Sequence, residues 1–294
     1  MLDIMKTQSD NNVFISGILN ELEIVEGTTK DGRDWIRGTA NILVDQEING
    51  IASENIIPVK MFSMRLKKDG TENKVFNMIQ SYKEDFTSRA AAEDINDASQ
   101  VTVNASVEEN IWIDQRTGKE VTGFQISSNF LKKKRDSDTE SATFQLSGVV
   151  IKTQEEMDRN DEPTGRLIVK FGVIGWAGKI NILTLVAEGN AKAHIEQNWA
   201  DGDTVKVAGR INMTQKVEKY TEEQGFGEPI ERVRTISKRE LVITGGSQGG
   251  LDEEYSYDAD SVKKACVERL NRIEEMKNNQ SKAAPKAKSD AFDF

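Results

Sequence analysis

Apolar and polar positions alternate along 202–213. Val205, Val207, Ile211 and Met213 fall on one parity, and Lys206, Arg210 and Asn212 fall on the other. A period of two predicts a strand with one buried face and one polar, basic face. Gly209 interrupts the run. A missing side chain there permits the sharp bend that a small closed barrel needs at its corners. The stretch 237–246, ending in Gly245-Gly246, supplies a partner strand.

The same reading carried from the N-terminus gives a first strand over 13–25 with Gly17 inside it, a turn at 27–32, and a second strand over 34–44. In that second strand Ile36, Ala40, Ile42 and Val44 share one face, and Trp35, Arg37, Thr39 and Asn41 share the other. A third strand spans 56–64 and carries Lys60 and Phe62, followed by a basic loop at 65–70. Val75, Phe76, Ile79 and Tyr82 lie near helical spacing and predict a helix over 73–86. Segments 100–113 and 120–131 then form a hairpin around the turn at 114–119, with Lys132-Lys-Lys-Arg135 at its exit. That basic run reads as a connection between domains, with phosphate contact as the alternative.

The order restarts at Ala142, where Ser147-Gly148 echoes Ser16-Gly17 in the first strand. Segments 164–175 and 179–188 follow as strands, 190–199 as a helix, and 203–246 as a hairpin with a long polar arm. Strand, strand, strand, helix, hairpin is the order of a five-stranded Greek-key OB-fold barrel. The expected fold class is therefore mainly β: two tandem five-stranded OB-fold barrels, each with a short helix, plus a C-terminal helix and a disordered acidic tail. An internal duplication explains this more economically than two unrelated folds. The expected domains are a flexible N-terminus at 1–12, OB-fold barrels at 13–135 and 142–246, and a C-terminal region at 247–294.

That last region opens with a glycine-rich hinge within 245–250. An amphipathic helix over 260–278 follows, with Val262, Ala265, Cys266, Leu270 and Ile273 at helical spacing and a docking or self-association role open to it. An Ala/Lys/Pro linker then leads to the tip carrying Asp290, Phe292, Asp293 and Phe294.

Composition narrows the chemistry. One cysteine, Cys266, and one histidine, His194, leave no disulfide framework, no Cys/His zinc site and no nucleophile pair with a second histidine in reserve. The segment 172–179 has the glycines of a phosphate loop at the wrong spacing, with Ile180 where a magnesium-holding hydroxyl belongs. Carboxylate pairs such as Glu155-Glu156 and Asp161-Glu162 read as a solvated loop. No enzyme, metal or cofactor is expected. The lone cysteine and the absence of a long apolar run fit a cytoplasmic protein.

Net charge is -10, the wrong sign for nucleic-acid binding, but its distribution matters more than its sum. Residues 1–140 hold 17 basic and 24 acidic side chains, whereas 141–250 hold 14 and 15. The second unit is nearly neutral and can present a basic face.

Single-stranded nucleic acid needs cations spaced along phosphates and flat rings under bases, each stacked base contributing about 1–3 kcal/mol. On the first unit Trp35, Arg37, Lys60, Phe62 and Trp112 meet those needs, against the alternative of packing on the helix or the neighbouring unit. On the second, Arg166 shares a face with Lys170 and Lys206 shares one with Arg210. The hairpin adds Lys216, Lys219 and Tyr220, and Trp176 projects from a turn. Trp199, at the end of the helix, reads as core.

The helix ending in a Gly-Asp turn, the Val-x-Val-x-Gly-Arg strand at 205–210, the long hairpin and the closing Gly245-Gly246 together resemble the single-stranded DNA-binding protein family. The tip ending in Phe294 also resembles that family's acidic, Phe-terminated tail, although Asp293 stands where proline is usual. A solubilising end is the alternative for the tip. The resemblance implies sequence-nonspecific coating of single-stranded DNA in replication, recombination and repair. It further implies replication and recombination proteins recruited by the tail, a bacteriophage source acting in the host cytoplasm, and either a monomer or a homodimer. The competing expectation is an OB-fold docking subunit of a larger assembly that never touches nucleic acid.

Overall fold

The computed structural model describes residues 8–48, 51–222 and 230–283, and of these the side chains outside 46–53, 95, 215–236 and 280–283. Eleven strands and three α-helices make up the described chain. In order they are β1 (Asn11–Thr28), β2 (Asp34–Ile48), β3 (Ile51–Met64), α1 (Lys74–Asp85), β4 (Gln100–Ile113), β5 (Glu120–Ser127) and β6 (Lys132–Lys133). The chain continues through β7 (Ser141–Met157), β8 (Pro163–Ile174), β9 (Ile180–Ala187), α2 (Gly189–Asn198), β10 (Thr204–Glu222), β11 (Ile230–Gly246) and α3 (Ala259–Ala283).

The protein is mainly β, and its strands form one hydrogen-bonded sheet rather than two separate ones. Within that sheet the pairings close two rings. β1 pairs with β2, β2 with β3, β3 in parallel with β5, β5 with β4, and β4 back with β1. The second ring repeats the cycle through β7, β8, β9, β11 and β10, with β9 and β11 parallel.

What joins the rings is a ladder that the sequence did not announce. β1 pairs through Val13–Ile18 with β4 on one edge and through Asn11–Ser16 with β7 on the other, then turns to β2 from Ile18 onward. Sliding β1 onto β7 so that Ser16-Gly17 falls on Ser147-Gly148 carries Val13 onto Phe144, its own partner in the ladder. The same operation exchanges the pairs Asn11–Leu146 and Ile15–Ala142, so the two units meet about a local twofold axis. The paired glycines are required by contact: a Cβ on Gly17 would stand 2.1 Å from the Leu43 carbonyl oxygen, and one on Gly148 2.3 Å from that of Gly172.

A second tie runs between the arms of the hairpins. Asn55 of β3 is fully buried, donates to the Ile211 carbonyl at 2.7 Å and accepts from the Met213 amide at 2.6 Å. One continuous core results, running from Ile15 and Ile36 to Phe171 and Ile211.

The apolar parity predicted for β2 and β10 holds, with Ile36, Ala40, Ile42, Val44, Val205, Val207, Ile211 and Met213 all buried, but Asn212, expected on the polar face of β10, is buried as well. Gly209 marks a register shift in β10, as its position requires. Asn73 caps α1, whose Phe76, Ile79 and Tyr82 face the core. Trp199 is buried just beyond α2, its indole N–H donating to the Ser247 carbonyl at 3.1 Å.

Three segments depart from expectation. β5 ends at Ser127 instead of 131, and the chain re-pairs with β4 only at Lys132–Lys133. Residues 247–251 run along the start of β10, with the Ser247 amide on the Lys206 carbonyl and the Leu251 amide on that of Thr204. Finally, α3 docks with Val262, Ala265 and Ile273 inward, Val262 and Ala265 meeting Val149, Ile174 and Ile180, but Leu270 points outward. Arg269 takes the inward place expected for it, because Glu109 of β4 waits there.

Candidate nucleic-acid interface

Antiparallel pairing of β1, β2 and β3 sets the geometry. Trp35 stands opposite Gly27 and Met64, Arg37 opposite Val25 and Phe62, and Thr39 opposite Glu23 and Lys60. Directly opposed residues project to the same side of a sheet. Four of the sequence-predicted residues, Trp35, Arg37, Lys60 and Phe62, therefore come together on the outward face of two neighbouring strands.

Each has a distinct posture. The Trp35 indole lies across Gly27, where a Cβ would sit 2.4 Å from the ring. The Arg37 guanidinium stands 5.3 Å from its centroid, a cation–π distance. With the indole half-buried between them, Trp35 holds Arg37 in place more than it offers an open ring. Phe62 is the open ring, 56% exposed. The Lys60 ammonium donates to the Thr39 hydroxyl at 2.9 Å. Neither Arg37 nor Lys60 has a carboxylate partner among the described residues. A shallow depression of about 390 Å³, lined by Glu23, Val25, Arg37, Gly38, Thr39, Lys60 and Met61, runs between them. Its β1 border is acidic through Glu23, and beyond it Glu21 accepts from Asn41 at 2.9 Å.

The second ring treats its cations differently. Arg166, with its side chain only 18% exposed, meets Glu240 at 2.6 Å and Glu156 at 3.4 Å. Burial alone would lower its pKa, but the hydrogen bond and charge of Glu240, with Glu156 behind it, raise it above its ordinary value. Arg210 is likewise held by Glu188 at 2.8 Å. Guanidinium groups committed to carboxylates on their own surface are poor candidates for phosphate. Lys170 donates to Thr184 at 2.8 Å, and exposed Lys206 lies 3.8 Å from Asp10.

The remaining rings are scattered. Trp176, 77% exposed, sits in the turn between β8 and β9, whose flanks Ile174 and Ile180 pack on α3. Trp112 is exposed at the β4–β5 hairpin, over an open cavity of about 850 Å³ shared with Arg116 and with Met276 and Asn279 of α3. No cavity among the described residues joins Trp35, Trp112 and Trp176: Trp112 lines the one beside α3, and neither of the others lines it. Lys216, Lys219 and Tyr220 lie on β10 where the side chains are outside the described residues, as are Asp290, Phe292, Asp293 and Phe294.

Two features escaped the sequence reading. Phe130, 53% exposed, follows β5 and adjoins Asn129, whose side chain accepts the Phe62 amide. Its signal was present in its parity opposite Leu131, but a strand drawn through 131 hid the turn. The other is the buried pair of Arg269 and Glu109, in which Arg269 Nε donates to Glu109 Oε2 at 2.7 Å and the Ile182 amide of β9 adds a bond to the same oxygen at 3.2 Å. The Glu109 hydrogen bond and charge hold the Arg269 pKa above its ordinary value despite burial. One carboxylate thereby ties β4, β9 and α3 together. No group of three or more potential metal ligands occurs among the described residues, and no described helix is long and apolar enough to cross a membrane.

The class defined by this framework is a mainly-β protein of two ring-closed strand sets with a cationic, aromatic-bearing face. The chain belongs to the YorF family, whose model matches residues 9–279. No curated protein matches it. Among solved structures it is similar to the wild-type single-stranded DNA binding protein from Thermus aquaticus, with a TM-score of 0.47 and 12% identity over 84% of this chain and 96% of that one. A deletion mutant of the same protein gives 0.49 and 12% over 83% and 97%.

Proposed function

We propose that this chain binds single-stranded DNA without sequence preference and without catalysis, using the outward face of β2 and β3, and that each ring is an OB-fold barrel. The observation that carries the reading is the grouping of Arg37, Lys60 and Phe62 on one face, the cations without carboxylate partners among the described residues and the ring open to solvent. Phosphates would meet the two cations and a base would stack on Phe62, while Trp35 orients Arg37. The strand order of each ring, with a helix between its third and fourth strands and a parallel closure, supports the OB-fold assignment. Local twofold pairing of β1 and β7 supports duplication of one unit and makes a single chain sufficient to hold two barrels.

In this reading the protein protects strands during phage DNA replication or recombination, and the tip at 289–294 recruits partner proteins. The alternative, a docking subunit that never touches nucleic acid, draws on the acidic border of the same face at Glu21 and Glu23. Titration with oligothymidylate, followed by tryptophan fluorescence at low and high salt, tests between them. Saturable quenching with an affinity that falls as salt rises supports DNA binding. Unchanged fluorescence together with no gel shift at low salt puts the docking reading first.

A further inference from the structure

We infer that the segment after β5 extends the interface, Phe130 acting as a second stacking platform and Lys132, Lys133 and Arg135 as a phosphate track for the same single strand. This rests on the reading that the β2–β3 face binds single-stranded nucleic acid. It adds a direction: the strand leaves the first ring along the connection to the second.

The phenyl ring of Phe130 is more than half exposed, so it adds little to the core, yet the backbone beneath it is tightly held. The Ser128 amide donates to the Lys60 carbonyl at 3.0 Å and the Ser128 hydroxyl donates to that of Asn104 at 2.7 Å. The Phe130 amide donates in turn to the Ser128 hydroxyl at 3.2 Å. From below, the Tyr82 hydroxyl of α1 donates to the Asn129 carbonyl at 2.9 Å and accepts from the Leu131 amide at 3.1 Å. Leu131 itself is buried. An exposed ring on backbone pinned from both sides is preorganised, and little ordering entropy remains to be lost when a base arrives.

The backbone that carries the ring runs beside β3 of that face. The Asn129 side-chain oxygen accepts the Phe62 amide at 2.9 Å, so the two exposed phenyl rings sit on backbones bridged by one side chain. Beyond Leu131 the cations resume. Lys132 and Lys133 are exposed on β6, Arg135 is exposed just past it, and none of the three has a carboxylate partner among the described residues. Lys134, by contrast, is largely covered and lies 3.8 Å from Glu140. Three exposed cations without a described carboxylate partner, interrupted by one paired lysine and following two exposed rings, supply the two things single-strand binding needs, positive charge along the backbone and flat faces for bases.

The test measures binding of a fluorescein-labelled oligothymidylate by anisotropy to the full chain and to Phe62→Ala, Phe130→Ala, Phe130→Leu and the triple change K132Q/K133Q/R135Q, each checked for folding by circular dichroism. Loss of one stacked base predicts a fall of about 5- to 150-fold for Phe130→Ala. Phe130→Leu keeps apolar bulk without a flat face and is expected to fall with it. The triple variant is expected to lower the slope of log K against log salt by about 2, at about 0.7 for each phosphate contact on a single strand. Wild-type affinity in Phe130→Ala beside a weakened Phe62→Ala overturns the extension and leaves the β2–β3 reading standing. Full rescue by leucine also overturns it, since the ring would then serve as apolar cover. An unmodified chain that fails to bind overturns both.

Discussion

Replacing Arg269 by methionine removes the cation from a carboxylate that is itself almost sealed, the Glu109 side chain being 4% exposed. The remaining described hydrogen bond to that carboxylate comes from a neutral donor, the Ile182 amide at 3.2 Å. Orphaning one member of a buried ion pair costs about 3–5 kcal/mol. Chemical denaturation of Arg269→Met is expected to show that loss at neutral pH, with early proteolysis within 250–283 as α3 loosens.

The double variant E109Q/R269M is expected to regain most of the loss at neutral pH. A cost below about 1 kcal/mol for the single change, or the absence of any coupling in the double-mutant cycle, would refute the view that this pair locks α3 across the two rings.

Other perturbations address separate joints. Asn55→Ala orphans the Ile211 carbonyl and the Met213 amide, and urea unfolding is expected to register about 1–3 kcal/mol for each unpaired group. Gly209→Ala places a Cβ 2.1 Å from the Val242 carbonyl oxygen and 2.4 Å from the Phe144 ring, so the variant is expected to accumulate as insoluble or unfolded chain, read by solubility and circular dichroism. Gly27→Val displaces the Trp35 indole from its seat; the emission of Trp35 is expected to shift and oligothymidylate binding to weaken because Arg37 loses its support.

Much of the framework was legible in the chain. Parity alone separated Ile36, Ala40 and Ile42 from Trp35 and Arg37, and the repeated Ser-Gly identified the two equivalent strands. What was not legible depends on partners remote in sequence. Arg166 and Arg210 read as free strand cations because Glu240 and Glu188 reach them only in the folded state. The ladder between β1 and β7 was hidden because one long strand that serves three partners has the same alternation as a strand that serves two. Arg269 broke the apolar stripe of α3 by one position, and only Glu109 explains why charge is tolerated there.

The central claim is that the first ring, despite its acidic balance, carries the DNA contact. Anisotropy titrations of labelled oligothymidylate, over a range of salt, with the pair K60Q/R37Q beside the pair K170Q/K206Q test it most directly. The account predicts weaker binding and a salt slope lower by about 1.4 for the first pair, two phosphate contacts at about 0.7 each, with the second pair close to wild type. Wild-type behaviour of the first pair, with the loss confined to the second, would contradict it.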